Sequence, residues 1–191
     1  DHNGSRGLGD VYKRQNIDYE GDYNVYLNDP RNINLGKKLI TDKKILIEKE
    51  RLKEINETEY HEILINHTTP YSPFDILENK SLLLENNFDN LNAIDWDKGC
   101  YVGQEITARM KYRGLLKKKL YALKIKSGDV LEGDELIVDN KKIGTIVSKA
   151  NSNIFAALNI NFVNEMKNKN QNLVINDSLS FDFLNWKFFS I

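Results

Sequence analysis

From Tyr121 to the C-terminus, short apolar runs alternate with turn-forming Gly, Asn and Asp, and none of the runs is long enough for a typical helix. Tyr121, Leu123 and Ile125 alternate along the chain, and Ser127-Gly128-Asp129 reads as a turn. Leu136-Ile137-Val138 and Ile143–Val147 flank Asp139-Asn140, a two-residue hairpin signal. Gly144 inside the second of these runs predicts a bend or bulge. Ile154–Ile160, Leu173–Ile175 and Leu179–Phe189 supply further strand patterns. Closely spaced strands with turns between them predict a small antiparallel barrel or sandwich.

Upstream of residue 114 the character changes. Tyr23–Leu27 reads as a strand, Asn28-Asp29-Pro30-Arg31 as a turn, and Gly36–Ile40 as a possible second strand. Residues 43–55 are ambiguous, because Ile45 and Ile47 alternate while Leu52 and Ile55 have helical spacing. Asn56 followed by Glu59 predicts a capping box, with Tyr60, Ile63 and Leu64 as the apolar stripe behind it and an end before Pro70. Leu82-Leu83-Leu84 is a short apolar run. A later helix is expected after Gly103, with Ile106 and Met110 on one face, Glu105, Arg109 and Arg113 on another, and Gly114 as its C-cap. The class is therefore α+β. Residues 1–15 read as a foreign junction or a native flexible tail, 16–114 as a partial α+β domain, and 115–191 as the barrel.

Lys and Arg number 27 against 28 Asp and Glu, a net charge of −1, so no global charge bias marks a nucleic-acid binder. The local stretch Lys111, Arg113, Lys117, Lys118, Lys119 reads as a solvated strand entry or as a contact for a polyanion, RNA included. Aromatic residues are not interleaved there, so direct nucleic-acid binding is not expected. No apolar stretch suits a membrane span, and no secretory leader pattern is present. The single cysteine excludes an intramolecular disulfide and suits a reducing compartment, so the expected location is the cytoplasm. His61 and His67, six apart, share no helical face and predict no metal site.

One segment carries chemistry: Lys98-Gly99-Cys100-Tyr101-Val102-Gly103-Gln104-Glu105. Its glycines allow sharp turns or close approach to a ligand. A thiol placed before a helix N-terminus and beside a lysine is pushed toward the thiolate. Gln104 and Glu105 add amide and carboxylate groups in the first turn. The plain alternative is that Cys100 is a small buried hydrophobe. Trp96, just upstream, reads as core packing or as a channel wall.

This segment resembles the K-G-C-Y-x-G-Q-E signature of the YgfZ family, and its continuation Thr107–Gly114 is similar too. The turn Asn28–Arg31, the later Leu35-Gly36, the Leu84-Glu85 element and the Lys142-Ile143-Gly144 hairpin resemble other parts of that family. The resemblance implies the fold of the glycine-cleavage aminomethyltransferase: α+β domains around a channel, then a C-terminal β-barrel. It implies tetrahydrofolate or a related folate as ligand and iron–sulfur enzymes or cluster carriers as partners. The implied role is accessory, in cluster assembly or repair, with indirect support of tRNA modification. Cys100 corresponds to the family's functional cysteine. Lys98, Gly99, Tyr101, Gly103, Gln104 and Glu105 correspond to its signature neighbours, and with Arg109 they form the candidate folate channel. Typical members have a longer region before the D-P-R turn, so the chain is expected to be N-terminally truncated. The rival activity is a folate-dependent aminomethyl transferase, and a third reading is a pure interaction module. The K-G-C-Y form argues against the transferase branch, which lacks that cysteine.

Overall fold

The computed structural model describes residues 25–40, 54–72, 74–78, 80–99, 104–168 and 172–184. β1 (Val25–Asn28) and β2 (Lys37–Ile40) form an antiparallel ribbon, agreeing with the two strand patterns. Residues 43–53 of the ambiguous stretch lie outside the described residues.

α1 (Glu57–Asn66) begins at the predicted capping box. The Asn56 side chain accepts from the Glu59 N–H at 2.8 Å, and the Glu59 carboxylate accepts from the Asn56 N–H at 2.9 Å. The helix closes in a Schellman turn: Thr69 N–H donates to Leu64 C=O and Thr68 N–H to Ile65 C=O, each at 2.9 Å. Thr68 occupies the left-handed position at φ +52°, where glycine is usual. A β-branched residue there stores on the order of 1–3 kcal/mol of strain, and Pro70 stops the helix from continuing. The buried face is His61, Leu64 and Ile65, whereas Tyr60 and Ile63 are exposed. The expected stripe is therefore turned by about one residue. With isoleucines at both 63 and 65, only the neighbour decides which one is covered.

Residues 82–93 form consecutive turns instead of a regular element. Asn87 and Asn92 take positive φ values there, 63° and 56°, and each lets the next N–H reach back to close a turn. Leu120 fixes this segment to the barrel: its N–H donates to Glu85 C=O and its C=O accepts from Asn87 Nδ2, both at 2.7 Å.

The C-terminal region contains β3 (Lys118–Ser127), β4 (Glu135–Val138), β5 (Lys141–Ala150), β6 (Asn153–Asn159), β7 (Leu173–Asn176) and β8 (Leu179–Phe183). They pair antiparallel in the order β4-β5-β6-β3-β8-β7. The end strands β4 and β7 approach each other, so the sheet is nearly closed and barrel-like. Asp139 and Asn140 make the predicted hairpin with φ values of 50° and 59°. The register shifts opposite Gly144, as the glycine predicted.

Simple alternation under-reads β3, where Leu120–Leu123 are all buried. Tyr121 and Leu123 face the barrel core with Leu136, Ile146, Ile154 and Phe181. Leu120 and Ala122 face outward against Ile65 of α1, with Ala150 and Phe155. Each large apolar side chain so buried contributes roughly 1.5–3 kcal/mol. The helix thus packs on the barrel through a second, smaller core on the outer face of β3.

One element was absent from the expectation. Ile160–Asn168 forms a helix, α3, where the pattern predicts only strand and turn. Asn159 caps it, its Oδ1 accepting from the N–H groups of Asn161 at 2.9 Å and Phe162 at 3.2 Å. Val163 then packs into the barrel core. The expected strand through Phe189 ends at Phe183, and residues beyond 184 lie outside the described set.

Candidate functional site

α2 (Gln104–Tyr112) starts immediately after the signature cysteine and its neighbours. Cys100, Tyr101, Val102 and Gly103 lie outside the described residues, so the predicted thiol environment is not part of the structural account. Of the other candidates, Lys98 is half-buried and Gly99 is exposed. A Cβ at Gly99 would meet nothing within 4 Å, so crowding by the described residues does not explain a glycine there.

Gln104 is buried, while Glu105 and Arg109 form an i,i+4 ion pair whose side chains are 72% and 55% exposed. Such a surface pair is worth at most about 1 kcal/mol. The candidate folate residues therefore divide between the inner and outer faces of α2. The expected apolar face is also corrected: Met110 is buried but Ile106 is 60% exposed. The inward face is Gln104, Thr107 and Met110, too polar for an apolar-stripe reading to identify. The predicted stop holds, since Gly114 has φ +61° and Leu115 N–H donates to Met110 C=O at 3.2 Å.

Trp96 lies beside the end of this helix. Its ring meets Tyr112 edge-to-face at 6.2 Å, and Lys111 Nζ sits 3.6 Å from its ring centroid. Just before the signature, Asp97 N–H donates to Asp95 Oδ1 at 3.1 Å, making a tight turn around Trp96.

The basic stretch that follows is largely spent within the fold. Lys118 pairs with Glu85 at 3.3 Å and Lys119 with Asp89 at 3.2 Å, joining the barrel to the 82–93 turns. Lys111 is engaged by Trp96. The solvated-entry reading therefore needs amending, because two of these lysines act as seam residues.

The D-P-R turn is hydrogen-bonded internally and docked. Asp29 accepts from Arg31 backbone N–H at 3.0 Å, from Nε at 2.9 Å and from a terminal guanidinium nitrogen at 2.6 Å. Hydrogen bonding to Asp29 drives the Arg31 pKa above its ordinary value. Asn92 donates to Pro30 C=O at 3.4 Å and Asn32 to His67 C=O at 3.3 Å. These bonds tie the turn to the 82–93 segment and to the end of α1.

A polar cluster missed from the sequence joins α1 to the barrel. Asp75 Oδ1 accepts from Ser148 Oγ on β5 and lies 2.9 Å from His61 Nε2, while Asp75 Oδ2 accepts from Tyr71 N–H at 2.7 Å. His61, Asp75 and Ser148 are all buried. The carboxylate stands between serine and imidazole, so the histidine cannot take the serine proton directly, and the group is a structural tie. No local spacing could reveal it, because Ser148 lies 73 residues after Asp75. Among the described residues, no group of three His, Cys, Asp or Glu side chains could hold a metal ion. No described helix is long and apolar enough to cross a membrane.

No protein-family model matches the chain. Individual relatives do. It is 33% identical over 130 residues to a protein of Dictyostelium discoideum named iron-sulfur cluster assembly factor IBA57 homolog, mitochondrial, covering 64% of this chain and 32% of the relative. It is 31% identical over 103 residues to the mouse protein of the same type, covering 53% and 28%. Against the human protein the identity is 30% over 102 residues, covering 52% and 28%. Its homologues are iron–sulfur cluster assembly factors of the IBA57 type. The chain spans about a third of the length of these relatives. Their names are mitochondrial, which overturns the cytoplasmic expectation. A lone cysteine excludes an intramolecular disulfide and does not distinguish one disulfide-free compartment from another.

Proposed function

We propose that the chain is part of an accessory protein for iron–sulfur cluster assembly or repair, acting in mitochondria. The carrying observation is its similarity to three proteins named as cluster assembly factors, together with a complete Lys98–Glu105 signature at the start of α2. In this reading Cys100 is the functional thiol, α2 is the platform that follows it, and iron–sulfur proteins are the partners. The barrel serves as support: Leu120 pins the 82–93 turns, and those turns hold the D-P-R turn through Asn92.

Folate belongs to this proposal through the YgfZ-type resemblance alone. A folate site needs a concave, mostly apolar slot with a few convergent polar groups. Among the described candidates Gln104 points inward, while Glu105 and Arg109 pair on the outer surface. They do not fit a folate pocket by themselves, and no step is routed through that ligand. Indirect support of tRNA modification would follow if the clients include iron–sulfur tRNA-modifying enzymes.

The test is complementation of cells lacking their own IBA57-type protein with the complete native gene, wild type or Cys100→Ala. The readouts are an iron–sulfur enzyme activity and tRNA methylthiolation. Rescue of the enzyme activity by wild type but not by the variant is expected. Equal rescue would remove Cys100 from the function, and no rescue by either gene would overturn the accessory role. Rescue of the enzyme activity without tRNA methylthiolation would remove only the tRNA branch.

A further inference from the structure

We propose that the outer face of α2 and the turn that follows it dock an acidic protein segment, with Ile106, Tyr112 and Leu115 as apolar anchors and Arg113 and Lys117 as the cations that receive its carboxylates. The inference does not rest on the role given to the thiol.

The helix buries one side only. Gln104, Thr107 and Met110 point inward at three-residue spacing. The opposite side carries Ile106, Arg109 and Tyr112, again three apart, with Arg113 beside them. Ile106 is 60% exposed, Tyr112 71%, and Leu115, just past the helix, 52%. Single exposed apolar residues are ordinary, but a cluster of large ones with a polar rim marks an interaction surface.

The rim has one sign of charge. Arg109, Lys111, Arg113, Lys117, Lys118 and Lys119 stand against one acid, Glu105, between residues 105 and 119, although the whole chain carries −1. Arg109 is paired with Glu105, Lys111 lies over Trp96, Lys118 meets Glu85 and Lys119 meets Asp89. Arg113 and Lys117 are exposed and have no side-chain partner among the described residues, and they flank Leu115. A complementary partner therefore brings carboxylates around an apolar centre. Tyrosine and arginine are also the residue types that most often anchor protein interfaces. RNA fits less well, because Ile106 and Leu115 give bases nothing to stack on. A membrane surface fits less well too, since the Arg109–Glu105 pair interrupts the apolar face between Ile106 and Tyr112. A second copy could offer its acidic turn around Leu131, which is 69% exposed. Those acids are already engaged at home: Asp129 by Lys149, Glu135 by Lys142 and Asp134 by the Leu131 N–H.

The test measures binding to the 191-residue chain and to the protein made from the complete native gene. The probe is a labelled synthetic helical peptide with a leucine stripe and glutamate elsewhere, followed by fluorescence anisotropy. Its comparators are the same peptide with lysine for glutamate, phosphatidylcholine vesicles containing cardiolipin, and a single-stranded RNA oligonucleotide. Both proteins are expected to bind the acidic peptide most tightly of the four, and less tightly as salt is raised. The double variant Arg113→Gln with Lys117→Gln is expected to weaken that binding about tenfold, and Ile106→Gln about fivefold, the range of moderate interface hot spots. Arg113→Lys, which keeps the charge, should retain most of it. These changes touch exposed side chains only, and urea midpoints equal to wild type confirm that the fold is intact. Equal binding of the lysine peptide, or undiminished binding by the variants, would overturn the proposal. Tighter binding of vesicles or RNA than of the acidic peptide would do the same. Binding by the 191-residue chain but not by the complete protein would show that the rest of the protein covers the face. Self-association of wild type in sedimentation, abolished in the double variant, would make a second copy the occupant. Either result also removes the acidic partner.

Discussion

Ser148 of β5 donates its hydroxyl to the carboxylate of Asp75, and both side chains are fully out of solvent. Because the same carboxylate also meets His61 of α1 and the Tyr71 N–H, one buried group ties helix, loop and barrel together. Removing one donor leaves a buried acceptor short of a partner, which costs about 1–3 kcal/mol. Ser148→Ala is therefore expected to lower the urea unfolding free energy by about that amount, while Asp75→Ala, which strands three groups, should cost more. Equilibrium denaturation followed by far-UV circular dichroism checks both. A loss below the error of the method would show that the tie adds no stability.

Gly144 faces the backbone of β6. A Cβ there would meet Ala157 C=O and Leu158 inside van der Waals distance, and the carbonyl belongs to paired strand backbone that cannot easily shift. Gly144→Ala is expected to destabilise by about 1–3 kcal/mol, the usual cost of overpacking. An unchanged melting temperature would mean that the β5–β6 pairing tolerates a displacement not seen here.

Asp29 predicts the acid limb. Burial alone would raise its pKa, but hydrogen bonds from the Arg31 side chain and backbone outweigh burial and hold it below the ordinary 3.8. A carboxylate depressed in the folded state stabilises above its unfolded pKa and loses that contribution as pH falls through the folded value. The Asp29 contribution should thus be complete at neutral pH and disappear progressively below 3.8. Asp29→Asn should be less stable than wild type at neutral pH, with the gap closing in acid. A gap independent of pH would contradict the Asp29–Arg31 assignment.

Tyr121 predicts the alkaline limb. Burial in the barrel raises its hydroxyl from 10.0 to about 12. A group raised on folding contributes fully below its unfolded pKa and loses that contribution as pH climbs through the folded one. Stability should therefore decline between pH 10.0 and about 12, and one of the nine tyrosines should titrate late at 295 nm. Tyr121→Phe should flatten that decline. Uniform titration of all nine tyrosines in the folded protein would be inconsistent with the packing of Tyr121 in the core.

Local chemistry made several elements legible from their residues. The Asn56–Glu59 capping box, the Asp139-Asn140 hairpin, the irregularity at Gly144 and the left-handed stop at Gly114 each depend on a few neighbouring atoms. Helix faces were less legible. Ile63 and Ile106 read as inward but are exposed, because both helices bury polar residues on the covered side: His61 on α1, Gln104 and Thr107 on α2. α3 escaped notice because Ile160 continues an apolar strand, and only the Asn159 cap marks the change.

The sequence by itself determined the α+β class, most turn positions and the signature at Lys98–Glu105, since these rest on backbone preferences and side chains close along the chain. Only the tertiary structure decided that α1 and β3 share a core, that Lys118 and Lys119 close a seam, that Asp75 meets Ser148, and that Lys111 settles on Trp96. Those pairings join residues from 15 to 73 positions apart. At such separations no periodicity links the partners, and the choice among exposed and buried faces is made by whichever surface the folded chain brings against them.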